Sequence, residues 1–241
     1  MRFGQTLTSG TLLRRYKRFL ADVRLEGGEE VTAHIANTGP MTGCAEPGSR
    51  ILLSHHPDRG RKLPWSWELI EIGGHWVLVN TARPNAVVEE GIRAGAVAEL
   101  TGYPSLRREA RWGERSRLDM VLEDEAGAQC WVEVKSVTLK SGPRAIFPDA
   151  VTTRGRRHLL ELQEIRAAGH RAVIFFLVPR GDCESVGPAA EIDPAYAETL
   201  ADVMAEGVEC LAYQATVGMD GVLLGRRLPF SLPDRTPAAL R

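Results

Sequence analysis

Arg117-Leu118-Asp119-Met120-Val121-Leu122 and Trp131-Val132-Glu133-Val134-Lys135-Ser136-Val137 decide how this chain folds. Both runs favour strands, and Asp124-Glu125-Ala126-Gly127 between them supplies turn residues. Together they predict a hairpin. Side chains alternate across a strand, so Val132, Val134 and Ser136 share one face while Glu133 and Lys135 share the other. Pairing the strands brings Asp119 near Glu133, and two carboxylates and an amine then converge. On a face covered by helices, a carboxylate without a partner is costly. Mg²⁺ prefers oxygen ligands and keeps several waters, so one or two carboxylates suffice to hold it. Such a cation stabilises charge on phosphoryl oxygens, and a nearby lysine can hold a phosphate or orient water. The competing reading is a solvated Glu–Lys cross-strand pair, which is common, and Asp-x(13)-Glu-x-Lys is a short pattern.

Around that hairpin the pattern predicts a helix over Asn85–Leu100, a strand over Leu106–Trp112 and a helix from Thr152 to Ala168. A buried strand over Ala172–Val178, a helix over Pro194–Glu206 and a strand over Val208–Gln214 follow. Helices alternating with apolar strands indicate an α/β sheet covered on both faces. Before residue 80 the chain reads differently. Phe19–Leu25, Val31–Ile35, Ile51–Ser54, Trp67–Ile72 and His75–Val79 are short strands separated by turns such as Glu26–Glu29 and Gly73-Gly74, which suggests a small barrel. The expected domains are residues 1–80 and 81–241.

The composition is that of an ordinary globular protein, with 44% apolar and 25% charged residues among 241 and a net charge of −1. No run has the length of a membrane helix, and the first twenty residues lack the apolar core of a signal peptide. Cys44, Cys130, Cys183 and Cys210 lie far apart, which argues against a sulfur-ligated metal and fits a reduced, cytoplasmic location. No Walker loop and no Gly-x-Ser-x-Gly elbow occurs.

Charge is nonetheless local. Thr152 or Thr153 is a suitable N-cap, yet the first turn after it carries Arg154, Arg156 and Arg157, with His158 beside them. Cations at a helix N-terminus oppose its partial positive charge, and a bound phosphate would reverse the penalty. A screened, solvated basic turn is the alternative. Arg14, Arg15, Lys17 and Arg18 surround Tyr16, as in single-strand binders, although a solvated strand edge looks the same. Arg59, Arg61 and Lys62 precede Trp65 and Trp67, and tryptophans there are read as core.

The segments LLRRYKRFLADV, NTGPMTGCAEPGS, RKLPWSWEL, GERSRLD, VEVKSVTL, FPDAVTTRGRRHL and GHRAVIFF resemble the sugar fermentation stimulation protein family of bacteria and archaea, over nearly the whole chain. The resemblance implies an N-terminal OB-like barrel and a C-terminal restriction-endonuclease-like α/β domain of the PD-(D/E)xK type. It also implies DNA binding and a regulatory role in sugar utilisation. On the family pattern Asp119, Glu133 and Lys135 take the catalytic positions, with Mg²⁺ or Mn²⁺ on the two acids. Glu90 matches the helix acid as a further ligand, and its neighbour Glu89 matches less well. Arg117, Ser136, Thr153, Arg154 and His158 fall in matching segments that would line the site.

Three functions remain open on this reading: a DNA-binding protein with a regulatory role, a Mg²⁺-dependent nuclease, and an interaction module with a relic site. DNA is the expected partner and no membrane is expected; association with a second copy is left open.

Overall fold

The computed structural model describes residues 1–57, 62–113 and 116–233. Arg59, Arg61, Glu114 and Arg115, which the sequence reading used, lie outside them. Six strands build the first unit: β1 (Thr8–Tyr16), β2 (Leu20–Leu25), β3 (Glu30–His34), β4 (Arg50–His55), β5 (Trp65–Ile72) and β6 (His75–Leu78). Their order is β3-β2-β1-β4-β5-β6, and a parallel β3–β5 pairing closes the first five into a barrel. Closure leaves β6 as a flap on β5 and removes the open edges of the ring. The interior is apolar, with Leu12, Val23, Ile35, Ile51, Leu53, Trp67 and Ile70 fully buried. β1 begins well before Phe19, where the sequence reading had placed a basic stretch. Of its residues only Gly10 and Leu12 are buried, and Thr11 and Arg14 are exposed.

The second unit contains α1 (Pro84–Arg93), β7 (Ser105–Trp112), β8 (Ser116–Glu123), β9 (Gln129–Ser136), β10 (Lys140–Ser141), β11 (Arg144–Phe147), α2 (Thr153–Ala167), β12 (Arg171–Val178), β13 (Ser185–Pro188), α3 (Pro194–Ala205), β14 (Glu209–Gly218) and β15 (Gly221–Arg227). The main sheet runs β15-β14-β12-β9-β8-β7, parallel through β9, β12 and β14 and antiparallel outside them. On one face Val87, Val88 and Ile92 of α1 pack with Val132, Val134 and Phe175, and Leu52, Leu69 and Leu78 of the barrel join the same layer. On the other face Leu159, Leu162 and Leu200 of α2 and α3 pack with Ile174 and Phe176. β12 is buried from both sides, which is why it reads as a continuous apolar run.

α1 is shorter than expected. It ends at Arg93, and Gly95 takes a left-handed conformation just past the C-cap residue Ala94. Gly91 inside the helix is there for close approach, since a Cβ would meet the Leu224 side chain of β15 at 2.4 Å. α2 starts where the sequence placed it, with Thr152 Oγ1 accepting from the Gly155 N–H at 3.0 Å. β13, β15 and the small sheet β10-β11-β13 were not foreseen; β10 and β13 are two and four residues long, too short for a period to show.

Candidate metal centre and its surroundings

β8 and β9 form the expected hairpin, and Asp119 sits where its ladder stops. The last pair toward the site is Met120 with Val132. On the other side the β7–β8 ladder passes from Met120 to Leu118 without an Asp119 pair. Freed from both neighbours, the Asp119 carboxylate takes the place of a backbone acceptor: its Oδ2 accepts the Val134 N–H at 2.8 Å. Oδ1 accepts from the Asn85 side-chain amide at 2.7 Å, at the start of α1. Glu133, one residue before Val134 and buried, reaches the same cavity from β9. Its Oε1 accepts from Lys135 Nζ at 2.7 Å and meets His158 Nδ1 of α2 in a very short contact.

His158 is held from both ends. Arg154 Nε donates to its Nε2 at 3.3 Å, so Nε2 bears no proton and Nδ1 donates to Glu133. The 3.2 Å approach of Lys135 to Nδ1 is then a contact between two donors, and Glu133 is the acceptor that Lys135 uses. Among the described residues Glu133 Oε2 is buried without a hydrogen-bond partner. An orphan carboxylate oxygen in a polar cavity is expensive unless a ligand completes it.

Burial pushes the Asp119 carboxyl above the ordinary range and the neighbouring Glu133 charge pushes it further; the Val134 N–H and Asn85 oppose both. Burial acts on Glu133 in the same direction, but Lys135 and His158 overcome it and hold Glu133 down at about 2. The two acids therefore act oppositely on stability. Asp119 contributes at low pH and loses that contribution as pH rises through its raised folded-state pKa. Glu133 contributes above its ordinary 4.5, and the contribution is lost as pH falls toward about 2. A divalent cation suits this arrangement. It would supply the charge that Asp119 lacks and the partner that Glu133 Oε2 lacks. Among the described residues no cluster of three or more His, Cys, Asp or Glu suits a metal, so a cation here would rest on two carboxylates and water, a set that a hard cation accepts.

The cavity, about 350 Å³, lies between the two units. Asp119, Glu133 and Lys135 line one side, and Asn37 and Gly39 of the barrel line the other. Arg15 builds that barrel wall. Its guanidinium donates to the carbonyls of Arg18 (2.7 Å), Gly39 (2.8 Å), Asn37 (3.0 Å) and Pro40 (3.3 Å). Asp149 closes the loop from the second unit, accepting from the Met41 N–H at 3.4 Å. A Cβ on Gly39 would stand 3.0 Å from its carboxylate, so glycine keeps the wall close. Arg15→Ala should therefore cost about 2 kcal/mol and expose residues 37–41. Hydrogen exchange checks this, and unchanged exchange across the loop would remove Arg15 as its organiser.

With that geometry in view, two family models match. One described as the sugar fermentation stimulation protein RE domain covers residues 82–221, and one described as the SfsA N-terminal OB domain covers residues 13–79. The chain belongs to the sugar fermentation stimulation protein family. A sugar fermentation stimulation protein homolog of Paramagnetospirillum magneticum is 53% identical over 98% of this chain and 100% of the relative. That of Pelobacter propionicus is 54% identical over 94% of this chain and 98% of the relative. A solved structure, described as Pyrococcus furiosus SfsA in complex with Ca²⁺, superposes with a TM-score of 0.87 at 30% identity, covering 96% of this chain and 98% of that one. The closed barrel is the OB domain of this family, and the α/β unit is its second domain.

Of the residues the family pattern suggested, Asp119, Glu133, Lys135, Ser136, Arg154 and His158 line the cavity. Glu90 does not. Its Oε2 lies 2.5 Å from the Met1 amino nitrogen, and its side chain is 58% exposed. Glu90 follows Asn85 by five residues, about 140° round a helix, so it faces away from Asp119. Glu89, four residues after Asn85, lies on the Asn85 side, bonded to Arg93 at 3.0 Å and 3.8 Å from Arg108. Arg117 is exposed, 3.6 Å from Glu109, and does not line the cavity. Arg157 pairs with Glu161 at 3.3 Å, and Arg156 and Thr153 are exposed on α2 away from the cavity lining. Arg14 pairs with Asp22 at 2.7 Å and covers the Tyr16 ring. Lys17 and Arg18 form the left-handed tip of the β1–β2 hairpin, exposed beside Phe19 and next to the wall through the Arg15 bond to the Arg18 carbonyl.

Asn85, Asn37 and Asp149 escaped the sequence reading. Asn85 had one legible signal, a polar residue directly after a proline at a helix start. Cys44, Cys130, Cys183 and Cys210 are free, and no described helix is long and apolar enough to cross a membrane.

Proposed function

We propose that this protein binds DNA and hydrolyses phosphodiester bonds with a divalent cation, Mg²⁺ or Mn²⁺, held by Asp119 and Glu133 in the PD-(D/E)xK manner. The observation that carries the reading is two carboxylates facing one cavity, Asp119 half-buried and Glu133 buried, with Glu133 Oε2 unpartnered among the described residues and Lys135 2.7 Å from Oε1. The Ca²⁺ named with the Pyrococcus furiosus relative is a hard, oxygen-seeking cation and supports the same ligand class. When bound, the cation supplies Lewis acidity for the charge that builds on the phosphoryl oxygens. Asn85 and the Val134 N–H hold the Asp119 carboxylate in place. His158 fixes Glu133, leaving Oε2 for the ligand. Lys135 is set to turn from Glu133 toward a phosphate or attacking water at the cavity, and Arg154 stands at its rim to hold the neighbouring phosphate.

The Lys17–Arg18 tip favours backbone contact by the OB domain as well, and a role in sugar utilisation, which the relatives' names carry, would act through that contact. Binding without turnover is the second reading, favoured by the close pairing of Lys135 with Glu133. Labelled single- and double-stranded DNA incubated with Mg²⁺, Mn²⁺ or EDTA separates the two. Cleavage that requires the cation, and that weakens as falling pH protonates Asp119, is expected. Salt-sensitive binding with no cleavage under any condition would leave a DNA-binding protein on this scaffold, and salt-insensitive binding would remove the DNA reading too.

A further inference from the structure

A second cleft, of about 490 Å³, opens on the OB domain. Ala36, Leu63 and Ala82 give it apolar walls, while His34 and Lys62, both exposed, stand at it and Asn80 lies within. The chain passes between the two clefts twice. Ala36 lines the second and Asn37 the carboxylate cavity; Asn80 and Ala82 line the second, and Thr81 between them lines the carboxylate cavity. Thr81 Oγ1 donates to the Ala36 carbonyl at 3.2 Å, so these segments form one tied ridge with a cleft on each side.

Resting on the nucleic-acid reading above, we propose that a single strand crosses this ridge, one nucleotide lying in the carboxylate cavity and a neighbouring one in the OB-domain cleft. Both clefts have the size of small-ligand pockets. A duplex is stiff over about 150 base pairs and keeps its bases stacked inside, so it cannot dip into two pockets across one ridge. A single strand turns freely and offers unstacked bases to apolar walls. The charge fits as well, because the exposed Lys62 lines the same cleft as Ala36, Leu63 and Ala82 and can meet the phosphate of a base seated there. Asn80 reads no base edge. Its amide donates to Glu68 at 2.8 Å and its carbonyl accepts from the Ala82 N–H at 3.0 Å. Asn80 is therefore held for the fold, and the apolar walls seat a base by shape.

Fluorescence anisotropy on the full chain, in EDTA to prevent turnover, tests this with a short labelled oligothymidylate and a duplex of equal length. Ala82 is exposed, so Ala82→Trp fills the cleft without entering a core. It should lower single-strand affinity about tenfold more than duplex affinity, the order of one lost base contact. Lys62→Ala should weaken single-strand binding and flatten its log–log salt dependence by about 0.7, the value of one phosphate on a single strand. Should Ala82→Trp fail to fold, the Lys62→Ala salt slope decides alone. Parental single-strand affinity and slope in these variants, or equal losses on both DNAs, would overturn the path while leaving the carboxylate site standing. A parent protein that binds neither DNA would remove the path together with the function it rests on.

Discussion

Asp119→Asn is expected to abolish divalent-cation binding and to lower metal-dependent cleavage by at least about 100-fold, the order for removing one preorganised electrostatic group. The metal-free variant should be as stable as the parent or more so. Asparagine keeps the shape and one acceptor oxygen, so the Val134 N–H can stay bonded where alanine would leave it bare. What is lost is a charge that the fold tolerates poorly: burial and the Glu133 charge already push Asp119 toward its protonated form. A site that works by holding two like charges together costs stability until its ligand arrives, which is the usual opposition between function and stability. Thermal unfolding with and without Mn²⁺ reads both halves. The parent should gain stability from the cation by mass action, and Asp119→Asn should start level or higher and gain nothing. A variant that keeps the cation-induced rise would place the metal elsewhere. Glu133→Gln, which loses the second carboxylate while leaving Asp119 intact, should fail in the same way.

The largest stability effect should come from outside the cavity. Glu68 is completely buried in β5, and Arg83 at the N-cap of α1 binds it twice, at 2.5 and 3.0 Å. Ser54 and Asn80 supply the remaining donors, at 2.8 Å each. Arg83→Ala leaves a buried, uncompensated carboxylate, which costs about 3–5 kcal/mol and should lower Tm by about 10 °C in a chain of this size. Most of the loss should return in Arg83→Ala with Glu68→Gln, because the penalty is the stranded charge and not the missing contact. If the double variant is no more stable than Arg83→Ala, the ion pair is not the cause. The same bond ties the barrel to the helix start that carries Asn85, two residues on, and Asn85 holds Asp119. Arg83→Ala is therefore also expected to weaken cation affinity, an effect that loss of stability elsewhere in the barrel would not produce.

The hairpin that carries Asp119, Glu133 and Lys135 was legible because strand alternation and a turn signal are local properties, readable over a few residues. The covered sheet was legible for a related reason: a strand buried on both faces has to be apolar throughout, as Arg171–Val178 nearly is. The start of α2 could be read from its cap, since Thr152 acts on an N–H three residues away. Glu90 shows where local information fails. Two adjacent acids on one helix look alike in sequence, yet a residue's 100° step decides that Glu89 lies on the Asn85 side and Glu90 does not. One member of the basic clusters shows the same limit. Arg15 looked like a cation for phosphate, but carbonyls distant along the chain fold around it. Sequence by itself determined which side chains carry charge, which segments must be buried and which acids share a strand hairpin. Tertiary structure alone decided that Asn85 would hold Asp119, that His158 would hold Glu133, and that a loop of the barrel would wall the cavity. Each of these joins residues far apart in the chain, and the energy of such contacts depends on a closure that no local pattern encodes.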